Sequence, residues 1–178
     1  MDSAIQRRWQ AMENMKSQIL QEIKNWGTQE LQHQNSSNDW NALQVIQHII
    51  ISEKGTLGYL MKKTSSGVEG LDKVTAMGKA AGTELQKALK SSEKWKAPNV
   101  MPDPEPIDLE KSIAYWLSLR VKYEEFLGNL DPAFIPLEIF KHPLAGRIDL
   151  MDTLDFLSNH IQHHMYQLER IKRAQKLT

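Results

Sequence analysis

The chain has no cysteine. Disulfides are therefore excluded, and so is thiolate chemistry by the protein itself. A metal ion would have to be held by histidine and carboxylate, and a reacting thiol would have to belong to a substrate. An excess of charge of either sign is also missing, because Lys+Arg and Asp+Glu both number 22. Nucleic-acid binding calls for a basic domain or stripe. The basic clusters here stop at pairs, Arg7-Arg8, Lys62-Lys63 and Lys172-Arg173, so no nucleic-acid partner is expected. No stretch approaches the ~20 apolar residues of a membrane span, and no long apolar run follows basic residues at the N-terminus. Neither a membrane partner nor a signal peptide is expected, and the location expected is cytoplasmic. Strong strand patterns and internal repeats are lacking too.

What is present is helical periodicity. At 178 residues, 40% hydrophobic and 25% charged, the chain suits a single domain over 1–178 with a sizeable core. Ile5, Trp9, Met12, Met15, Ile19, Ile23 and Trp26 recur at helical spacing, which predicts a first helix from about Ser3 to Trp26, ended by Gly27. The polar run Gln29 to Asp39 reads as a loop. Asn41-Ala42-Leu43-Gln44 has the residues of a capping box and opens a second helix to about Lys63. From Thr64 to Ile107 the pattern weakens. Glycines recur at Gly70, Gly78 and Gly82, and Thr83-Glu84-Leu85-Gln86 predicts a short helix to about Ser91. Pro98, Pro102, Pro104 and Pro106 then forbid regular structure. A third helix follows the N-cap candidate Asp108 and ends at Gly128-Asn129. The stretch to Arg147 reads as loop or short turns. A fourth helix begins after Asp149, with acids at its start and Lys172, Arg173 and Lys176 at its end. The expected architecture is all-α, a four-helix bundle with a long crossover between helices two and three. That crossover would make those two helices parallel.

The stretch that matters most lies inside the last helix pattern: Asn159-His160-Ile161-Gln162-His163-His164-Met165-Tyr166-Gln167. His160 and His164 are four apart, so both imidazoles leave one helix face, with Cβ atoms roughly 5–6 Å apart. Two imidazoles at that spacing can share one metal ion. His48, in an apolar run on the second helix, is the best third ligand, since bundles build metal sites from side chains projecting inward from facing helices. Three imidazoles suit Zn, Ni, Fe or Cu better than Mg or Ca, and three protein ligands leave a coordination position open. His163 points to the side of the pair and reads as a surface or supporting residue. His142, before Pro143, reads as turn chemistry, and His33 lies in a polar loop. Candidate general bases are Glu53, Glu124 and Asp155, each weighed against an ordinary solvated helix-surface carboxylate. Gln44 and Ser52 could orient the His48 ring, and Asn159 or Gln167 the other pair.

The order of these features resembles the DinB/YfiT superfamily of metal-dependent enzymes. Three segments carry the resemblance: Trp40 to His48 (a Trp, a helix cap and a first His ligand), His142-Pro143-Leu144-Ala145-Gly146 (a His-Pro-x-x-Gly turn), and His160-x-x-His163-His164-x-x-Gln167. The resemblance spans essentially the whole chain. The resemblance implies that His48, His160 and His164 are the metal ligands, and that the protein forms a homodimer. It implies an enzyme acting on a small-molecule substrate with a divalent transition metal, Zn or Ni foremost and Fe next. Relatives of this superfamily include thiol S-transferases that use bacillithiol or mycothiol, a mycothiol-dependent maleylpyruvate isomerase and an amide hydrolase. A low-molecular-weight thiol cosubstrate is thus implied as well. Where many relatives read Arg-Gly after the last His, this chain reads Met165-Tyr166, so a charge near their site is absent here. The competing reading is a non-enzymatic metal-binding or stress-related helical interaction protein. Five tryptophans and eight methionines could serve an interface, but helical spacing places most in the core. Trp95, between Lys94 and Lys96, fits no helix face and reads as a lid anchor or a tucked loop residue.

Overall fold

The structure is a computed structural model that describes residues 1–37, 39–90 and 108–175. Its elements are helices α1 (Ser3–Ile23), α2 (Thr28–Gln32), α3 (Ala42–Thr64), α4 (Ala76–Lys90), α5 (Leu109–Asn129) and α6 (Leu150–Gln175), with strands β1 (Phe140–His142) and β2 (Gly146–Ile148). The protein is mostly helical, as the periodicity predicts. The four long helices stand where they are expected, with α1 and α3 both packed on α6 and on α5. Asp2, Asn41 and Asp108 cap α1, α3 and α5 by accepting backbone N–H groups of the first turn, the ordinary use of Asp and Asn at that position. Gln44 closes the capping box by accepting the Asn41 N–H at 3.0 Å.

Four expectations need correcting. First, α1 stops at Ile23, and Gly27 precedes α2 instead of ending α1. The Glu30 carboxylate accepts the Gly27 N–H at 2.5 Å, and a single turn suffices to bury Leu31. The segment read as a loop thus opens with a five-residue helix. Second, α4 starts at Ala76 rather than Thr83. Thr83 does not cap it; its hydroxyl donates to the Lys79 carbonyl one turn earlier. Third, the glycines that weaken the pattern are close-approach positions on α4. A Cβ at Gly78 would meet the Arg147 carbonyl oxygen at 2.9 Å, and one at Gly82 would meet Asp152 Cγ at 2.9 Å. Without side chains at these two positions, one helical turn apart, α4 lies directly on β2 and α6. Lys79 between them reaches both Asp149 and Asp152. Fourth, the stretch before α6 contains a two-stranded antiparallel hairpin, Phe140 opposite Ile148 and His142 opposite Gly146. The architecture is therefore helical with a small sheet. Gly146, at φ +71°, takes the left-handed conformation that favours glycine. An isolated bridge between Lys73 and Leu137 ties the segment before α4 to the one before β1. The expected helix end near Ser91, the proline-rich crossover and Trp95 lie outside the described residues.

The core includes Met12, Ile46, Ile49, Leu60, Trp116, Tyr123, Leu154 and Ile161. Trp9 and Met12 are buried along with Trp116, so core packing, not an interface, accounts for these large side chains. A polar network crosses this core. Glu53, fully buried, takes Arg120 Nε at 2.9 Å and Nη2 at 2.6 Å, and the Trp116 indole N–H at 2.9 Å. The Tyr123 hydroxyl donates to the Glu53 carbonyl, and Arg120 Nη1 reaches Glu13 at 3.2 Å. Arg120 also lies over the faces of Trp9 and Trp116. Glu53 is thus neither a solvated carboxylate nor a free general base. Burial pushes its carboxyl pKa up and the Arg120 guanidinium opposes that.

Removing one partner of a buried, hydrogen-bonded pair strands the other, which typically costs about 3–5 kcal/mol. Arg120→Met is therefore expected to lower unfolding free energy by that amount in urea denaturation, and the double variant Arg120→Met, Glu53→Gln to recover part of it. An Arg120→Met protein as stable as the wild type would show that the network contributes nothing.

Candidate metal centre

Three histidines from two helices meet where α3 faces α6. His48 lies in the second turn of α3, between Val45 and Ile49 on its buried side. His160 and His164 follow one another on the buried face of α6. Their exposures are 4%, 9% and 5%, so the rings are removed from solvent and not aligned along an open surface. His160 Nε2 is 3.1 Å from His48 Nε2 and 3.1 Å from His164 Nε2. The ring centroids lie 4.5–5.0 Å apart. Among the described residues this is the one group of three or more His or carboxylate side chains whose ligand atoms gather at a metal-binding separation.

The surroundings fix how the rings present themselves. Gln167 Oε1 lies 2.9 Å from His164 Nδ1. An amide oxygen only accepts, so the His164 proton sits on Nδ1 and its Nε2 lone pair faces the other two rings. His160 Nδ1 is buried without a hydrogen-bond partner, so its polar contacts are made through Nε2. Trp40, half-buried, covers the cluster from the start of α3, 4.8 Å from the His48 ring and 6.4 Å from that of His164. Phe156, one turn before His160, closes another side at 5.6 Å. Burial among these rings keeps the imidazoles neutral. It pushes His48 down to about 4 and His164 to about 3, with neighbouring histidine charges adding to both. The same causes hold His160 well below its ordinary value.

The other residues singled out in the sequence divide clearly. Gln167 supports the site, whereas Gln44 is occupied with capping, and neither Ser52 nor Asn159 hydrogen-bonds to a ring of the cluster. Asp155 is paired with Arg8 at 2.7 and 3.0 Å, and Glu124 is exposed on α5. His163 is buried, beside His164 and tied to the Leu89 carbonyl of α4, so it supports the site's helix rather than lying on the surface. His142 makes the expected turn, accepting the Leu144 and Ala145 N–H groups on Nδ1, both at 3.2 Å. It is also buried and packs edge-on to Phe156 at 4.6 Å. Sequence reading missed that inward placement. The Phe140-Lys141-His142 alternation carried the signal, since a strand sends alternate residues to one face.

A mostly helical protein with a buried three-histidine cluster is the class these features define. The chain belongs to the DinB superfamily, whose family model matches residues 11–168. Comparisons with curated proteins and with solved structures gave no significant match. No helix among the described residues is long and apolar enough to cross a membrane.

The buried neutral histidines set a pH dependence for the metal-free protein. Their folded pKa values lie below the unfolded value of about 6.5. As pH falls below about 6.5 the unfolded chain takes up protons that the folded chain refuses, so stability is lost toward acid and is fully present above that value. Each such histidine contributes a slope of up to about 1.4 kcal/mol per pH unit between about 6.5 and its folded value. Urea unfolding of chelator-treated protein is expected to show declining stability from pH 7 to pH 5; a flat profile would contradict the burial of neutral rings.

Proposed function

We propose that the protein is a divalent-metal-dependent enzyme of the thiol S-transferase or hydrolase type, a DinB-like four-helix bundle with His48, His160 and His164 as metal ligands. The observation that carries this reading is the convergence of three Nε2 atoms. Three neutral imidazoles have no charge to attract one another, and their desolvation is costly. A cation among them compensates for both. The spacing fits: a tetrahedral metal with bonds of about 2.0–2.1 Å holds its nitrogen ligands about 3.3 Å apart, against 3.1 Å for two of the pairs here. The donor set suits Zn, Ni or Fe.

When bound there, a divalent metal with an open coordination position supplies Lewis-acid chemistry, lowering the pKa of a thiol or water to give a nucleophile near neutral pH. The chain's own residues do the rest. Gln167 holds His164 in the tautomer that offers Nε2. Trp40 and Phe156 limit water around the rings. No cysteine competes for the metal, so a small-molecule thiol would enter as cosubstrate. Among the described residues no carboxylate joins the cluster, and in this reading a histidine or the substrate serves as the general base. A homodimer belongs to this reading, and the exposed Leu117 and Val121, one turn apart on α5, are the apolar surface that supports it.

Elemental analysis of untagged protein purified without chelator is expected to give about one Zn, Ni or Fe per chain. His160→Ala should lose it with the helical circular dichroism retained. Wild type that takes up neither Zn nor Ni would sink the reading. Turnover of a low-molecular-weight thiol with an electrophile should disappear on chelation and return on metal addition; turnover unchanged after complete metal removal would exclude the metal from the reaction. Gln167→Ala removes only the acceptor that orients His164, and metal affinity should fall about 10–100-fold.

A further inference from the structure

Resting on that reading, we propose that His142 is the site's hydrogen-bond donor, its Nε2–H holding an acceptor oxygen of a carboxylate or carbonyl ligand beside the three histidines. His142 comes from β1, outside the two ligand helices. The strand's alternation buries Phe140 and His142 and leaves Lys141 exposed. The ring packs edge-on to Phe156, which in turn lies against His160.

The turn settles which ring nitrogen carries the proton. Nδ1 accepts two backbone N–H groups, from Leu144 and Ala145. A neutral imidazole whose Nδ1 is an acceptor carries its hydrogen on Nε2. That N–H makes no hydrogen bond to a described residue, and its nitrogen is not among the buried atoms left without a partner, so an entering ligand can reach it. Turn chemistry does not require it: Asn or Asp bonds the same two N–H groups with a shorter side chain and tolerates turn conformations. What histidine adds at position 142 is one N–H, held rigid by the hairpin and directed away from the turn. The same tautomer keeps Nε2 from serving as a fourth metal ligand, consistent with its place outside the cluster of three.

Two substitutions separate the ring's two nitrogens. In His142→Asn the amide oxygen can take the place of Nδ1 and keep the turn, while the donor at the Nε2 position is gone. In His142→Gln the amide nitrogen can reach the Nε2 position, while the turn loses its acceptor. The full-length chain would be loaded with Co(II) and titrated with acetate, following the visible Co(II) spectrum, with thermal midpoints measured alongside. His142→Asn is expected to keep the wild-type midpoint and Co(II) affinity and to weaken acetate binding about tenfold, the loss of one hydrogen bond. His142→Gln is expected to lower the midpoint yet bind acetate within about threefold of wild type. Equal acetate affinity in wild type and His142→Asn, both binding Co(II) normally, would overturn the assignment of His142 alone. No spectral response of the Co(II)-loaded wild type to acetate would overturn it too. A wild type that binds no Co(II) would overturn the three-histidine site, and this assignment with it.

Discussion

Helix α6 has to be covered on several sides at once, and the rest of the structure follows from how that is done. α1, α3 and α4 all pack against it, so a helix with polar residues throughout its length has few faces left for water. Its buried residues include Asp152, Thr153, His160, His163 and His164 as well as leucines and isoleucines. Burying that much polarity is unfavourable unless each group finds a partner. The partners come from the covering elements. Asp155 takes Arg8 from α1, Asp149 and Asp152 take Lys79 from α4, and His163 takes the Leu89 carbonyl. The histidine pair is completed by His48 from α3.

These fasteners also explain why the site is buried. α4 approaches α6 closely only because Gly78 and Gly82 have no side chains, and this closeness helps to bury His163 beside His164. The Glu53–Arg120 network ties α1, α3 and α5 together through one guanidinium, that of Arg120, which pairs with both Glu13 and Glu53. It fixes α3 five residues beyond His48, so the first histidine projects from a helix anchored in the core. Two polar systems on one helix therefore have opposite characters. The Glu53 system is charged and internally satisfied, whereas the histidine cluster is neutral and has its lone pairs turned inward. Among the described residues only the second gathers possible ligand atoms at a metal-binding separation.

Much of this was legible in the chain. The four long helices followed from apolar spacing and from Asn41 and Asp108 as caps, because helix period and capping are local properties. The three-histidine group could be named because His160 and His164 are related by the helix repeat, and because His48 is a polar residue in an apolar run. α4 was harder to place: its glycines weaken the propensity signal, and the compensation comes from a packing partner some seventy residues away. The hairpin was harder still, since three-residue strands leave almost no alternation to read. Glu53 looked like a surface acid because nothing near it in sequence announces Arg120.

The sequence by itself determined the helical class, the family, the absence of any protein thiol and the pairing of His160 with His164, all of which depend on residue identity or on contacts within one turn. Only the tertiary structure decided which polar groups are shielded from water. It withdrew Glu53, Asp155 and Gln44 from the candidate site, brought Gln167 to His164, and turned His142 inward beside Phe156. Those outcomes depend on which helices lie against one another, and burial, pairing and tautomer are properties of that arrangement, not of any single segment.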